Sequence, residues 1–396
     1  MKKICFISQS LYTLGGVQSV VLDTINYMMR RGEYQITVLM PSSENKKTEY
    51  GLREDVEVLD IRGFLPTSKI NKNVRRLYFK VNHNSALFQN KVVKPIVRHC
   101  CYPDKYLKAL ACFINGREYD TVVGVSGDNA ILVGLIAPHI NARTIGWMHT
   151  TLEALFTKRQ STAYGQFYLS KEAYQALDQI LVLSHLDKAT FDSTYFINTE
   201  VQYNPCVLKT SRKSSLNNRC LLWVGRLSEY SKGTDYLSQI ACEILHRFPA
   251  WRLVIAGSGE AEASMRSSFE NAGIDKSVQF LGRVSRERLI EEIYPNADIL
   301  LSTSRIEGFG MTIVEAGCCA VPSIAFANSG PREIIANDQN GILVEPGNTE
   351  LFINKLSVLM EDASYRVKLG EGAFHRAEDF SQDRVTEQLL RFFEGV

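Results

Sequence analysis

The chain predicts an α/β fold of two doubly wound parallel-sheet domains, and three observations carry that expectation. Short β-branched runs alternate with helical patterns along both halves, as in a parallel sheet with helices on both faces. Between the halves, residues 201–218 (VQYNPCVLKTSRKSSLNN) turn polar and basic around a proline, in the manner of a linker. The 396 residues also suffice for two domains that each bury a core.

The elements follow in order. In the first half the apolar runs Ile4–Ser8 and Tyr34–Met40 predict strands, with Val17–Arg31 as the helix between them. Thr121–Val125, Thr144–Met148 and Gln179–Leu183 predict further strands, each followed by a turn or helix. The second half repeats the plan with strands at Leu221–Val224, Arg252–Ala256, Val278–Leu281, Asp298–Leu301 and Ser323–Phe326. Ser381–Glu394 predicts an amphipathic helix with Val385, Leu389, Leu390 and Phe393 on one stripe. The expected organisation is a first domain over 1–200, the linker 201–218 and a second domain over 219–380. Two doubly wound domains so joined place a cleft between their carboxyl edges.

Composition excludes several classes. A hydrophobic share of 45%, a charged share of 22% and a net charge of +2 describe ordinary globular protein and point to no nucleic-acid partner. Nine cysteines without CxxC spacing lie mostly in apolar runs, which suits reduced packing thiols in a cytoplasmic protein and no zinc site. The apolar start Ile4–Ile7 ends too soon for a signal peptide, and no run approaches the ~20 residues that span a bilayer.

The chemistry concentrates in Arg305–Gly317 (RIEGFGMTIVEAG), which a strand-like run enters directly. Glu307 sits in the Gly-Phe-Gly turn; Glu315 sits in a helical run among Ile313, Val314, Ala316 and Gly317, so its helix is expected to be largely buried. A loop or helical glutamate is usually a solvated charge, but a buried carboxylate needs hydrogen-bond donors, and the hydroxyls of a sugar supply them. The neighbouring glycines permit close approach of a ligand to the backbone. In Val224–Gly233 (VGRLSEYSKG), Arg226 and Lys232 follow a strand, with Gly225 and Gly233 beside them. Arginine and lysine in such a loop suit phosphate oxygens. Gly15 and Gly16 precede the first helix, whose amides could face an anion. His149 stands at the end of a predicted strand, Thr144–Thr150.

Glu307-x7-Glu315 within EGFGMTIVE resembles the signature of glycosyltransferase family 4, whose members are retaining enzymes of the GT-B fold. The GRL…KG element and the glycine loop near the start are similar to the same family. The resemblance implies that Arg226 and Lys232 hold the donor diphosphate, with Gly15, Gly16 and Gly225 nearby. It implies that Glu315 accepts from the ribose. Glu307, with the amides of Phe309 and Gly310 followed by Met311 and Thr312, would hold the hexose, and His149 would contact the sugar. Val278–Arg283 resembles the segment that meets the base, which brings in Arg283. It further implies that the terminal helix packs back on the first domain. No Asp-x-Asp lies at a strand end, so transfer is expected to need no metal and no cofactor beyond the nucleotide-sugar co-substrate, preferably a UDP-sugar.

Residues 62–108 contain eleven Lys or Arg and one acid, Asp104, interleaved with Phe64, Leu77, Tyr78, Phe79, Leu87 and Phe88. Such a segment is either a solvated basic face or a dock for anionic lipid. The expected function is therefore a hexosyltransferase acting on a lipid-linked glycan acceptor in surface polysaccharide synthesis, cytoplasmic and peripheral to the inner face of the membrane. The competing readings are a GT-B-like nucleotide-sugar epimerase or hydrolase, and a non-catalytic scaffold partner.

Overall fold

A computed structural model describes the chain apart from residues 14, 43–45, 66–68, 86–87, 158–160, 162, 208–211 and 396. The chain divides into two units: Met1–Tyr203 with Thr386–Val396, and Asn204–Val385.

The first unit is built on seven strands: β1 (Lys2–Ile7), β2 (Tyr34–Met40), β3 (Glu57–Asp60), β4 (Thr121–Val125), β5 (Arg143–Trp147), β6 (Gln179–Val182) and β7 (Glu200–Val201). They pair in the order β3-β2-β1-β4-β5-β6-β7, all parallel. The order reverses direction between β1 and β4, where Ile4 stands against both Ile36 and Thr121. Helices on the faces bury a core in which Cys5, Ile7, Val122, Ile131 and Phe191 are closed off from solvent. That double burial is why the central strands are continuous apolar runs rather than alternating ones.

The second unit holds β8 (Cys220–Val224), β9 (Arg252–Ala256), β10 (Val278–Gly282), β11 (Ile299–Ser302), β12 (Ser323–Phe326) and β13 (Gly341–Val344). The order is β10-β9-β8-β11-β12-β13, again all parallel, with the reversal between β8 and β11. Its core gathers Trp223, Ile255, Leu301, Phe326 and Phe352. Ligands of open α/β sheets sit at the carboxyl ends of strands beside such a reversal.

The described part of 201–218 is no free tether. The Ser214 amide donates to the Cys319 carbonyl and its hydroxyl to the Ala297 carbonyl, while Leu216 is buried and its carbonyl accepts from Arg366. Arg212 donates to the Glu291 carbonyl and Lys213 lies over the Phe374 ring, while residues 208–211 fall outside the described set. The terminal helix Gln382–Glu394 contributes its last residues to the first unit. There Phe393 lies edge-on to Phe6 at 5.7 Å, the Thr121 hydroxyl donates to the Phe393 carbonyl, and Tyr34 donates to Glu394. Among the described residues no helix is long and apolar enough to cross a membrane.

Candidate active site

The two strands flanking the reversal in the second unit deliver the two loops singled out by sequence. β8 passes into Gly225-Arg226-Leu227, where the fully buried Leu227 anchors the loop, and then into a single turn of helix, Glu229–Lys232. Gly233 ends that turn at φ +61°, a left-handed conformation that L side chains seldom adopt. A Cβ on Gly233 would lie 2.1 Å from the Thr303 carbonyl oxygen, so only glycine lets this loop touch the one following β11.

Hydrogen bonds lock the two loops together. The Thr303 hydroxyl donates to the Lys232 carbonyl at 3.0 Å and accepts from the Trp223 indole at 3.2 Å. The amides of Arg305 and Ile306 donate to the Ser231 carbonyl at 3.0 and 3.1 Å. Arg305 grips Asp235 with two guanidinium nitrogens while lying 3.8 Å over the Tyr236 ring. Those bonds hold the Asp235 carboxyl below its ordinary range.

This lattice sets Lys232 Nζ 2.6 Å from Glu307 Oε2, and the Ser304 hydroxyl donates to the same oxygen at 2.9 Å. The side chains are 28% and 14% exposed, so the pair is sheltered yet reachable. The Glu307 carbonyl accepts from the Gly330 amide at 3.2 Å. Phe309 is buried, edge-on to Phe380 at 5.5 Å. Gly310 then leads into the helix Met311–Cys318, whose half-exposed first residues are Met311 and Thr312. A cation and a free carboxylate oxygen beside a helix N-terminus can bind an anion and a hydroxyl-rich group together.

Glu315 lies along that helix, half-exposed, while Ile313, Val314, Ala316 and Gly317 are buried as expected. The expectation that a ligand supplies the donors for both acids needs correction: the protein supplies several itself. Tyr294, fully buried, donates its hydroxyl to Glu315 Oε2 at 2.8 Å. Burial, then the charge of Glu315, pushes that phenol well above its usual range, so it remains a donor. Ser304 and Lys232 do the same for Glu307.

Arg226 and Arg283 lie exposed at the neighbouring strand ends, and Arg283 donates to the Ser258 hydroxyl at 3.0 Å. Ser258 belongs to a Gly-Ser-Gly loop after β9 that sequence reasoning passed over. The loop joins the others through Gly225 N–Ala256 O (3.0 Å), Leu227 N–Ser258 O (3.1 Å) and Gly257 N–Gly282 O (2.8 Å). Two glycines directly after a predicted strand were the available signal. Among the described residues no three His, Cys, Asp or Glu side chains gather as a metal-ligand set.

The first unit carries the remaining expected residues. Gly15, extended, caps the helix Gly16–Arg31, whose first turn has no acid. His149 lies two residues beyond the end of β5 rather than within the strand, 8% exposed, with its ring 4.5 Å from Trp147. A further feature at this unit's reversal was missed: Ser126, directly after β4, holds φ +70°. A non-glycine residue in that region marks a strained turn of the kind kept at functional sites.

Two parallel α/β sheets reversing beside their first strands define the GT-B class, and comparison with solved structures agrees. HepE of Anabaena, solved in complex with UDP, superposes with a TM-score of 0.75 over 100% of both chains at 18% identity. The chain has the GT-B fold. Residues 208–376, within the second unit, match the model of the family described as glycosyl transferases group 1. An uncharacterized glycosyltransferase of Haemophilus influenzae aligns over 98% of this chain and 99% of its own at 23% identity. The GalNAc-α-(1→4)-GalNAc-α-(1→3)-diNAcBac-PP-undecaprenol α-1,4-N-acetyl-D-galactosaminyltransferase of Campylobacter jejuni aligns over 58% of this chain and 63% of its own at 26%. Other curated relatives near 30% identity are spanned over only 42–45% of their length.

Proposed function

We propose that the chain transfers a hexose from a nucleotide sugar, UDP-linked by preference, to a lipid-linked glycan acceptor in surface polysaccharide synthesis. Transfer proceeds with retention of configuration and without a metal, as expected of glycosyltransferase family 4. The observation that carries this reading is the Lys232–Glu307 pair at the carboxyl ends of β8 and β11, 2.6 Å apart. Lys232 and Arg226 offset the charge that grows on the departing diphosphate, the preorganised electrostatic role that counts most in transfer chemistry. Glu307, with the amides of Phe309 and Gly310, takes the sugar hydroxyls, and Glu315 takes the ribose. Gly225, Met311, Thr312 and Arg283 complete the donor contacts. Gly15, Gly16 and His149 serve the same reaction from the first unit. HepE is solved with UDP, and the Campylobacter relative is named for an undecaprenol-linked acceptor, which supports the choice of base and of acceptor class.

The basic stretch 62–108 fits an anionic membrane at the inner face of the cell envelope, though with fewer apolar contacts than its sequence offers. Tyr78 is buried, and Phe64 and Phe88 pack against the first core, while Leu87 falls outside the described residues. Leu77 and Phe79 do face solvent, joined by Val74, Val92 and Ile96.

Thermal unfolding with UDP, GDP, ADP and a panel of UDP-sugars, with and without EDTA, tests the donor. Binding at a hundredfold excess over Kd adds about 2.7 kcal/mol to the folded state. The expected result is a shift with UDP and one UDP-sugar that EDTA leaves unchanged. No shift with any nucleotide overturns the reading.

A further inference from the structure

Beneath Glu315 the second unit holds a cluster of thiols that sugar transfer does not use. Cys318 is the last residue of the helix Met311–Cys318, three positions beyond Glu315, and is half-buried. Its Sγ lies 3.9 Å from Sγ of Cys206, which is 3% exposed. Cys206 is tethered from its other side, because its amide donates to the Phe380 carbonyl at 2.7 Å and it bridges Ser381. The pair therefore links the helix that carries Glu315 to the segments where the chain enters and leaves this unit.

The two cysteines next to each other on the helix end differ in chemistry. Burial, helped by Cys318 and Glu315, pushes the Cys319 thiol up to about 12, so it stays protonated. Cys318 is held below the usual thiol value by its hydrogen bond with Cys206, against the opposing effects of burial and of Glu315. Of the two thiols at the helix end, Cys318 is thus both the more accessible and the more readily ionised. A reachable, readily ionised thiol poised beside a second thiol is the arrangement of oxidant-sensing cysteines.

We infer that Cys206 and Cys318 form a peroxide-sensitive thiol pair whose closure to a disulfide weakens nucleotide binding at Glu315. The Cys318 thiolate attacks one oxygen of hydrogen peroxide; the O–O bond breaks, Cys318 becomes a sulfenic acid, and the released hydroxide takes up the thiol proton as water. The Cys206 sulfur then attacks the sulfenic sulfur, an S–S bond forms, the S–O bond breaks, and a second water leaves with the Cys206 proton. Two thiols lose two hydrogens in all, and one peroxide is reduced to two waters. Bonding requires the sulfurs to close from 3.9 Å to about 2 Å, so the last turn of the helix or the Cys206 segment moves. Tyr294 packs into the same cluster and donates to Glu315 at 2.8 Å, so that movement disturbs the carboxylate directly. The effect on binding rests on the reading of Glu315 as a nucleotide contact; closure of the pair does not.

The full-length chain is treated with hydrogen peroxide, blocked with N-ethylmaleimide and digested without reductant. One linked peptide joining Cys206 and Cys318, two hydrogens lighter and erased by dithiothreitol, is the expected product. Cys206→Ser, or Cys206→Ala where serine disturbs the packing, leaves Cys318 as a sulfenic acid that dimedone traps. UDP then binds the oxidised wild type about tenfold more weakly than the reduced protein, and the Cys206 variants show no such loss. Oxidation confined to the exposed Cys112, or a linked peptide with undiminished UDP binding, overturns the inference. If the linked peptide forms while the reduced protein binds no nucleotide at all, the thiol pair stands and the nucleotide reading of Glu315 fails.

Discussion

Lys232 and Glu307 are 75 positions apart in the chain and meet only because β8 and β11 are neighbours at the sheet reversal. Each serves a different part of the donor in the proposed reaction, and the pair is partly open to solvent, with side chains 28% and 14% exposed. Alanine at either position is expected to lower turnover by a factor on the order of 10²–10³ while circular dichroism and unfolding stay close to wild type. Unchanged turnover in both variants removes the pair from the mechanism. Asp235 governs the same loops from outside the site. Its folded pKa is depressed by Arg305, so its contribution to stability is present above the ordinary value of 3.8 and is lost as pH falls through the lower folded value. Below pH 3.8 the wild-type melting temperature should therefore fall more steeply than that of Asp235→Asn; parallel curves would show that the Arg305 clamp does not stabilise the fold. At this scale the acids and cations were legible because each lies in a short motif with glycines beside it. Their donors were not. Ser304 is an unremarked serine in sequence, and Tyr294 lies 21 positions from Glu315, so neither becomes a partner until the chain folds.

The loop that presents Glu307 is shaped by the element facing it, the short helix Ser329–Ile334. A Cβ on Gly330 would meet the Phe309 carbonyl oxygen at 2.2 Å, a backbone atom that cannot swing aside as a side chain can. Gly330→Ala should therefore cost about 1–3 kcal/mol through overpacking and should weaken UDP binding as the loop shifts. Gly116→Ala, at a helical glycine with nothing within 4 Å, is the matched control and should be neutral or slightly stabilising. Equal effects of the two substitutions on stability and UDP binding would mean that the facing helix does not set the loop. Legibility of the elements follows burial in the same way. The central strands were recognisable as apolar runs because helices cover both their faces. The strands that escaped recognition are β3, β7 and β13, all at sheet edges with a single neighbouring strand. β3 (EVLD) is half-buried throughout and β7 has two residues, so neither carries enough apolar sequence to stand out. β13 (GILV) is mostly buried and no shorter than the recognised β6, β11 and β12, so its edge position and not its length sets it apart.

On the scale of the whole molecule, the proposed lipid-linked acceptor would require a surface that meets lipid. The candidate for that surface in the first unit is the helix Lys69–Asn84 together with residues 91–96. Arg76 and Lys80 are exposed beside Leu77, at 63% exposure, and Phe79, at 44%. Val92 and Ile96 continue the apolar set at 82% and 53% exposure, next to the exposed Lys91. Charges of one sign interleaved with outward apolar groups are poorly explained by solvation alone, since water rewards the lysines but not Leu77 or Val92. Near an anionic leaflet each Lys or Arg contributes about 1 kcal/mol, and the apolar side chains add burial in the interfacial layer. The full chain should therefore co-sediment with vesicles containing anionic lipid, weakly or not at all with neutral vesicles, and less as salt screens the charges. Arg76→Glu with Lys80→Glu should lower the apparent affinity by a factor of about 30 or more, since each loses about 1 kcal/mol of attraction and adds repulsion. Leu77→Asp should weaken binding with little change in its salt dependence, which separates insertion of the apolar face from attraction of the basic one. UDP binding should survive all three substitutions, because none is among the proposed donor contacts. Equal binding to neutral and anionic vesicles, or binding untouched by these substitutions, would reduce the segment to a solvated basic face and leave the acceptor to be sought among soluble glycans.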